Sequence, residues 1–205
     1  MKKLDRDFYS RDTLVVAEKL LGKYLVRRLG DTFLIGKIVE VEAYMGEKDK
    51  AAHSFGGRRT ARNDVMYGEA GHIYVYFIYG MHYCFNVITE SVHIPRGVLV
   101  RALEPVEGLN IMALNRYKKQ LSELSCKEIK NLTNGPAKLC RSFGITVEQN
   151  GFDLCSDEFY IGENENDSDK FDIVHTTRIN IDYAEEARFY PWRFYIKGNP
   201  YVSKL

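Results

Sequence analysis

Residues 73–88 form an apolar run carrying four tyrosines and two phenylalanines between positions 74 and 85, broken near its middle by Gly80. Aromatic and β-branched residues in such a run favour strands, and an internal glycine marks a bulge or a tight hairpin. Residues 23–29 and 32–43 read as another strand pair, joined at Gly30-Asp31, a favourable hairpin turn. Hairpin-linked strands at two places commit the chain to a mainly antiparallel sheet with helices packed outside it. The predicted fold class is therefore α/β in the α+β sense.

Other elements fit that frame. Ser10 precedes a helical pattern with Leu14, Ala17, Leu20 and Leu21 on one face, and Gly22 sits where a helix-ending glycine belongs. Residues 98–103 and 192–197 read as short strands, 106–121 as a helix, and Pro136 as the first residue of a helix running to about Phe143. Residues 44–72, punctuated by five glycines, predict a long loop, a length that is usually functional or disordered. Residues 156–170 predict a surface excursion. A chain of 205 residues, 45% hydrophobic and 28% charged, suits one domain over 1–205 that builds its core without disulfides or metals.

Charge is balanced overall, with 29 basic and 28 acidic residues, but not in its distribution. Residues 156–190 hold ten acids and three bases, which leaves the rest of the chain at +8. A polyanion would meet the body of the protein and avoid that stretch. Cys84, Cys126, Cys140 and Cys155 form no CxxC pair and have no paired histidines nearby, which argues against a zinc ribbon, a redox dithiol or an iron–sulfur cluster. No metal or cofactor is expected. The first residues lack a signal-peptide apolar segment, and the longest apolar run falls short of the ~20 residues that span a bilayer. A reduced, cytoplasmic protein without membrane attachment is the expectation.

Four segments could carry chemistry. On a strand, Glu40, Glu42 and Tyr44 share one face, either as solvated acids on a half-exposed strand or as a carboxylate site. Residues 53–63 place Arg58, Arg59 and Arg62 on a glycine-rich loop without an acid, suited to gripping phosphate or to being simply solvated. His53 alone reads more readily as a core histidine than a functional one. Tyr74 and Tyr76 share a strand face as core packing or as a stacking platform for unpaired bases, Tyr79 projects beside the turn at Gly80, and Asn86 is an amide in an apolar strand that demands a partner. Arg101, inside the apolar strand, needs an answering anion, for which Glu42 is the natural candidate. Lys138 adds positive charge near a helix start already favourable to anions.

The order Val-Glu-Ala-Tyr, Ala-Ala-His-Ser, Tyr-Val-Tyr with Tyr-Gly-Met two residues on, Arg-Ala-Leu-Glu-Pro, and Gly-Pro-Ala-Lys-Leu-Cys closely resembles the alkyladenine (3-methyladenine, methylpurine) DNA glycosylase family, in its bacterial form. The likeness runs from the first helix to Arg193-Phe194-Tyr195-Ile196-Lys197-Gly198. It implies a single domain with a curved, mainly antiparallel sheet and a β-hairpin that enters the minor groove of double-stranded DNA. It also implies roles: Glu42 as the base that activates the hydrolytic water, with Arg101 as its companion in holding that water; Tyr44 against one face of an extruded base and His53 and Tyr76 against the other. Tyr79 would fill the gap left by the flipped nucleotide, and Asn86 would crowd the 2-amino group of guanine. Arg58, Arg59, Arg62, Met81, His82 and Lys138 would contact DNA. His82 stands where vertebrate members have a tyrosine.

The chemistry is consistent with those roles. An alkylated purine is already cationic and leaves without a general acid, so one carboxylate suffices and Glu40 is a bystander to the reaction. The expected activity is a monofunctional hydrolase acting on 3-methyladenine, 7-methylguanine, hypoxanthine or ethenoadenine as a monomer. A glycosylase-lyase using Lys138 as an amine nucleophile, and a nucleic-acid-binding module with structural glutamates, are the competing readings.

Overall fold

The computed structural model describes residues 1–78, 80–164 and 170–204, so the expectation for Tyr79 and part of the acidic stretch lie outside the described residues. In chain order the elements are β1 (Lys2–Lys3), α1 (Arg6–Tyr9), α2 (Thr13–Leu20), β2 (Tyr24–Leu29), β3 (Thr32–Tyr44), β4 (Ile73–Ile78), β5 (His82–Thr89) and β6 (Arg96–Glu107). They continue with α3 (Leu109–Tyr117), α4 (Cys126–Lys130), α5 (Pro136–Phe143), β7 (Phe159–Glu163), β8 (Ile173–Thr176) and β9 (Arg193–Ile196). Among the described residues the strands form one open, curved sheet in the order β1-β7-β2-β3-β6-β5-β4, with β9 on β3 and β8 on β9. The described pairings are antiparallel.

The 13-residue β3 is the axis of this sheet. Its first half pairs with β2 and its second half with β9 along one edge, while β6 follows the other edge from Ile35 to Tyr44. The β3–β6 register shifts twice around Glu40. Ile38 faces Leu103, Glu40 faces Ala102 and Val41 faces Val100, so Val39 is extra on β3 and Arg101 is extra on β6. A bulge of this kind re-aims a side chain out of the regular alternation. Here it turns Arg101 toward the acids of β3.

Helices α2, α3 and α5 cover the sheet through Val16, Ala17 and Leu20, Met112 and Ala113, and Leu139, Cys140 and Phe143, which join one core with Ile38, Val41, Val100 and Leu103. Gly36 permits the close approach of α5: a Cβ there would lie 3.0 Å from Leu103 and 3.3 Å from Phe143. The β4–β5 hairpin leaves this core at its tip, where Phe77 is 43% and Met81 69% exposed and Gly80 takes φ +66°.

Several expectations need correction. Asp12, not Ser10, caps α2, its carboxylate accepting from the amides of Leu14 and Val15. The helix read over 106–121 spans Leu109–Tyr117, because Gly108 at φ +80° still belongs to the turn and Lys118 at φ +60° ends the helix. The strand read at 98–103 runs from Arg96 to Glu107. The acidic excursion contains β7, whose Phe159 and Ile161 are buried while β1 and β2 pair on either side. The long loop is found as expected, with short 3-10 turns along it at Gly46–Lys48, Phe55–Gly57 and Asp64–Tyr67. Among the described residues, no helix is long and apolar enough to cross a membrane.

Candidate active site

The acids of β3 are not solvated. Glu40 and Glu42 are fully buried, and the strand is buried on both faces from Ile38 to Ala43. An acid in that setting needs donors on its oxygens. Glu42 Oε1 accepts from the Ile179 amide at 2.7 Å and meets Arg101 Nη1 at 3.2 Å, while Oε2 accepts from the Tyr44 hydroxyl at 2.9 Å. Burial, then the neighbouring Glu42, pushes the Tyr44 hydroxyl well above the ordinary tyrosine range, so it stays a donor. Arg101 divides its guanidinium between the two acids, with Nε on Glu40 at 3.1 Å. Arg193 adds a second arginine to Glu40 at 2.7 Å.

Tyr44 joins this floor to a cavity of about 430 Å³, open mouth included. Tyr44, His53, Tyr74, Tyr76 and Asn86 line it, with Met66, Ile88 and Tyr183. Arg178 lies over the Tyr44 ring at 4.8 Å and occupies one of its faces. The His53 and Tyr76 rings meet edge to face at 4.5 Å. His53 is exposed toward the mouth, but Nδ1 turns inward to the buried Tyr74 hydroxyl at 2.9 Å. Partial desolvation of the ring by the cavity wall, then Arg62 and Arg58 nearby, lowers its pKa to about 4 and keeps the imidazole neutral at neutral pH. The Asn86 demand for a partner is met in part by the Tyr74 carbonyl, to which Nδ2 donates at 3.0 Å. Such a concave, aromatic site with few polar groups suits a flat, apolar-faced ligand.

A second depression opens beside the first, lined by Lys50, His53, Arg58, Thr60, Arg62 and Tyr183 among others. Its basic loop is held from inside by the buried Asn63, which donates to the carbonyls of His53 and Arg58 and accepts from Thr60. Arg62 donates to the Phe77 carbonyl and lies 5.5 Å over the Tyr76 ring, tying this loop to the hairpin. Arg59 pairs with Asp64 at 2.7 Å.

The structure thus gathers Glu42, Arg101, Tyr44, His53, Tyr76 and Asn86 at one place, with Arg58 and Arg62 at its rim. Met81 and His82 instead line a groove between the hairpin and α5. Lys138, on α5, donates to the side chains of Asn131 and Asn134 at 2.6 and 2.8 Å and does not line the aromatic cavity. Sequence reading missed Arg178, a fully buried side chain gripping Asp49 with both terminal nitrogens at 2.5 and 2.8 Å, and with it Ile179 and Tyr183. They lie in a stretch rich in acids without a strong local pattern; an arginine among those acids is the available signal. Among the described residues no cluster of acids, histidines and cysteines could hold a metal ion.

The chain is similar to known proteins over its whole length. Residues 7–200 match the family model described as methylpurine-DNA glycosylase. A Clostridium acetobutylicum protein is 57% identical over 203 residues, 99% of this chain and 98% of its own length. A Bacillus cytotoxicus protein is 57% identical over 200 residues, 96% and 97% of the two chains. A Clostridium novyi protein is 52% identical over 204 residues, the full length of both. All three bear the name of a 3-methyladenine DNA glycosylase. The chain therefore belongs to the methylpurine-DNA glycosylase family and is a hydrolytic DNA N-glycosylase of DNA repair.

Proposed function

We propose that the chain, acting as one domain and as a monomer, turns a damaged purine out of duplex DNA into the aromatic cavity and hydrolyses its glycosidic bond with a water activated by Glu42. The observation that carries this reading is the buried Glu42, fixed by Arg101 and Ile179 and linked through the Tyr44 hydroxyl to the cavity wall. A carboxylate offers about four acceptor positions, and three are described here, which leaves one for a water. The attacking water gives its proton to Glu42 as the bond to the anomeric carbon forms, and the bond electrons leave with the base. Arg101 holds the carboxylate in place.

Stacking favours the damaged base. A cationic alkylated purine is drawn to the faces of Tyr44 and Tyr76, and a neutral His53 does not repel it. Asn86, in the cavity wall, crowds an exocyclic 2-amino group and so discriminates against guanine. The β4–β5 hairpin, with exposed Phe77 and Met81, enters the minor groove, and Tyr79 takes the place of the flipped nucleotide. Arg58, Arg59 and Arg62 contact phosphates near the cavity, with His82 and Lys138 reaching the backbone further along. Extruding a base costs a few kcal/mol, least for lesions that pair badly, so extrusion adds to selectivity.

The test is incubation with alkylated duplex DNA. Free 3-methyladenine or 7-methylguanine with intact abasic sites is expected. Strand breaks without added base or heat would establish lyase chemistry instead, and bound DNA without free base would leave a binding module.

A further inference from the structure

Glu40 lies outside the reaction just proposed, yet its carboxylate is fully buried and meets donors on both oxygens. Oε1 meets Arg101 Nε at 3.1 Å, Arg193 Nε at 2.7 Å and the Ser203 hydroxyl at 3.0 Å. Oε2 accepts from the Ser203 amide at 2.6 Å. Glu40 itself is fully buried, and Arg101 and Arg193 are 7% and 4% exposed. The segment around Ser203 is held a second time, because an Arg193 terminal nitrogen donates to the Lys204 carbonyl.

This arrangement has a direction. Arg101 sits at the extra position of β6, where neither neighbouring strand sets its side chain by regular pairing. Its orientation therefore comes from what its nitrogens meet. Nε is fixed by Glu40, and because the guanidinium is planar, fixing Nε also fixes where Nη1 points, which is to Glu42 Oε1 at 3.2 Å. Glu40 in turn could pivot between Arg101 and Arg193, and the two donors of Ser203 hold it against both.

We infer that Glu40 is a positioning residue for the glycosylase reaction, and that Ser203, contributed by the segment 202–204, completes the site by locking Glu40 so that Arg101 faces Glu42. The chain from Ser203 to Glu42 runs over two strands of the sheet, β3 and β6, with Arg193 of β9 as a further partner of Glu40, and Ser203 and Glu40 act only through the groups that follow them. The inference rests on Glu42 being the base. Its own content is that a residue 163 positions away in sequence from Glu40 sets the rate of the chemical step rather than the affinity for DNA.

The experiment compares single-turnover base release, at saturating enzyme on a duplex with one lesion, for wild type, Glu40→Gln, Ser203→Ala and Glu42→Gln. Binding is measured separately on a duplex with an uncleavable lesion analogue. A structural role for Glu40 would lower the fraction of active protein, hence the amplitude, and leave the rate constant unchanged. A positioning role lowers the rate constant itself. The expected result is about a 10-fold or greater loss of rate constant for Glu40→Gln, two- to five-fold for Ser203→Ala, and affinities within two-fold of wild type. In the Glu42→Gln background, Glu40→Gln should cost little more, since it acts through the same group. Should Glu40→Gln fail to fold, Ser203→Ala removes one hydroxyl at a half-buried site and decides the matter alone. Wild-type rate constants in the folded variants, beside an impaired Glu42→Gln, overturn this inference and spare the proposed base. A wild-type rate constant for Glu42→Gln overturns the proposed base itself.

Discussion

Two sets of three arginines divide the site. Arg101, Arg178 and Arg193 form its floor, no more than 7% exposed, and they meet Glu40, Glu42 and Asp49. Arg58, Arg59 and Arg62 form its rim, exposed to solvent on a loop rich in glycine. Three cations against three anions leave the floor without net charge, so its value lies in fixed geometry. The rim keeps a surplus of positive charge, and its value lies in attraction at a distance. A glycosylase needs both: a rigid set of donors where bonds change, and an adaptable surface where a long polyanion must arrive and slide.

The contrast is broken most severely at Arg178. Arg178→Met leaves Asp49 buried without its bidentate partner and should destabilise the protein by about 3–5 kcal/mol, read as a shift in urea or thermal unfolding. A change no larger than that of a rim arginine would mean that the floor is not distinct. Next comes Glu42→Gln, expected to slow base release ~10²-fold or more while damaged DNA still binds. Turnover close to wild type would send the search for the base elsewhere.

The Asn86 wall sharpens the comparison at the boundary between floor and rim. Asn86→Ser should open space for the 2-amino group and allow slow release of normal guanine from mismatched duplex, at a several-fold cost on alkylated bases. No guanine release together with unchanged alkylated-base rates would make Asn86 a structural amide. On the rim, the double change Arg58→Gln with Arg62→Gln should weaken DNA binding and lower the salt slope by about 0.9 per lost phosphate contact, with the saturated rate constant little altered. An unchanged slope would remove these residues from the phosphate interface. The smallest effect is at His53. Its folded pKa of about 4 lies below the ordinary 6.5, so the unfolded chain binds the proton first. Stability should therefore fall as pH drops from about 6.5 to about 4, and His53→Gln should flatten that part of the melting-temperature profile.

What could be read in the sequence follows the same divide. The hairpins, α5 and the resemblance carried by Glu42, Tyr44, His53, Tyr76 and Asn86 were legible because each depends on local spacing or on a motif. β7 was missed because the four residues between Glu158 and Glu163 carry too short an alternation to stand out. Arg178 was missed for a deeper reason: nothing local announces that a residue will cross to Asp49, 129 positions away. Glu40 was legible as an acid on the right face, but its burial depends on Arg193 and Ser203, which arrive from the far end of the chain. Long-range ion pairing, more than secondary structure, is what local pattern does not encode.

The paired irregularity between β3 and β6 has a consequence for how this protein can change. One residue is inserted in each strand, so the offset created at Val39 is cancelled at Arg101 and pairing resumes in step from Val41 to Tyr44. It works like a frameshift and its suppressor. Deleting Val39 alone, or Arg101 alone, would leave the other insertion uncorrected and turn every following side chain to the opposite face, moving Glu42 and Tyr44 away from their partners. Substitutions in this stretch can be absorbed one at a time, but changes in its length can survive only as matched pairs. The stretch that carries Glu42 and Tyr44 is therefore easier to tune than to move.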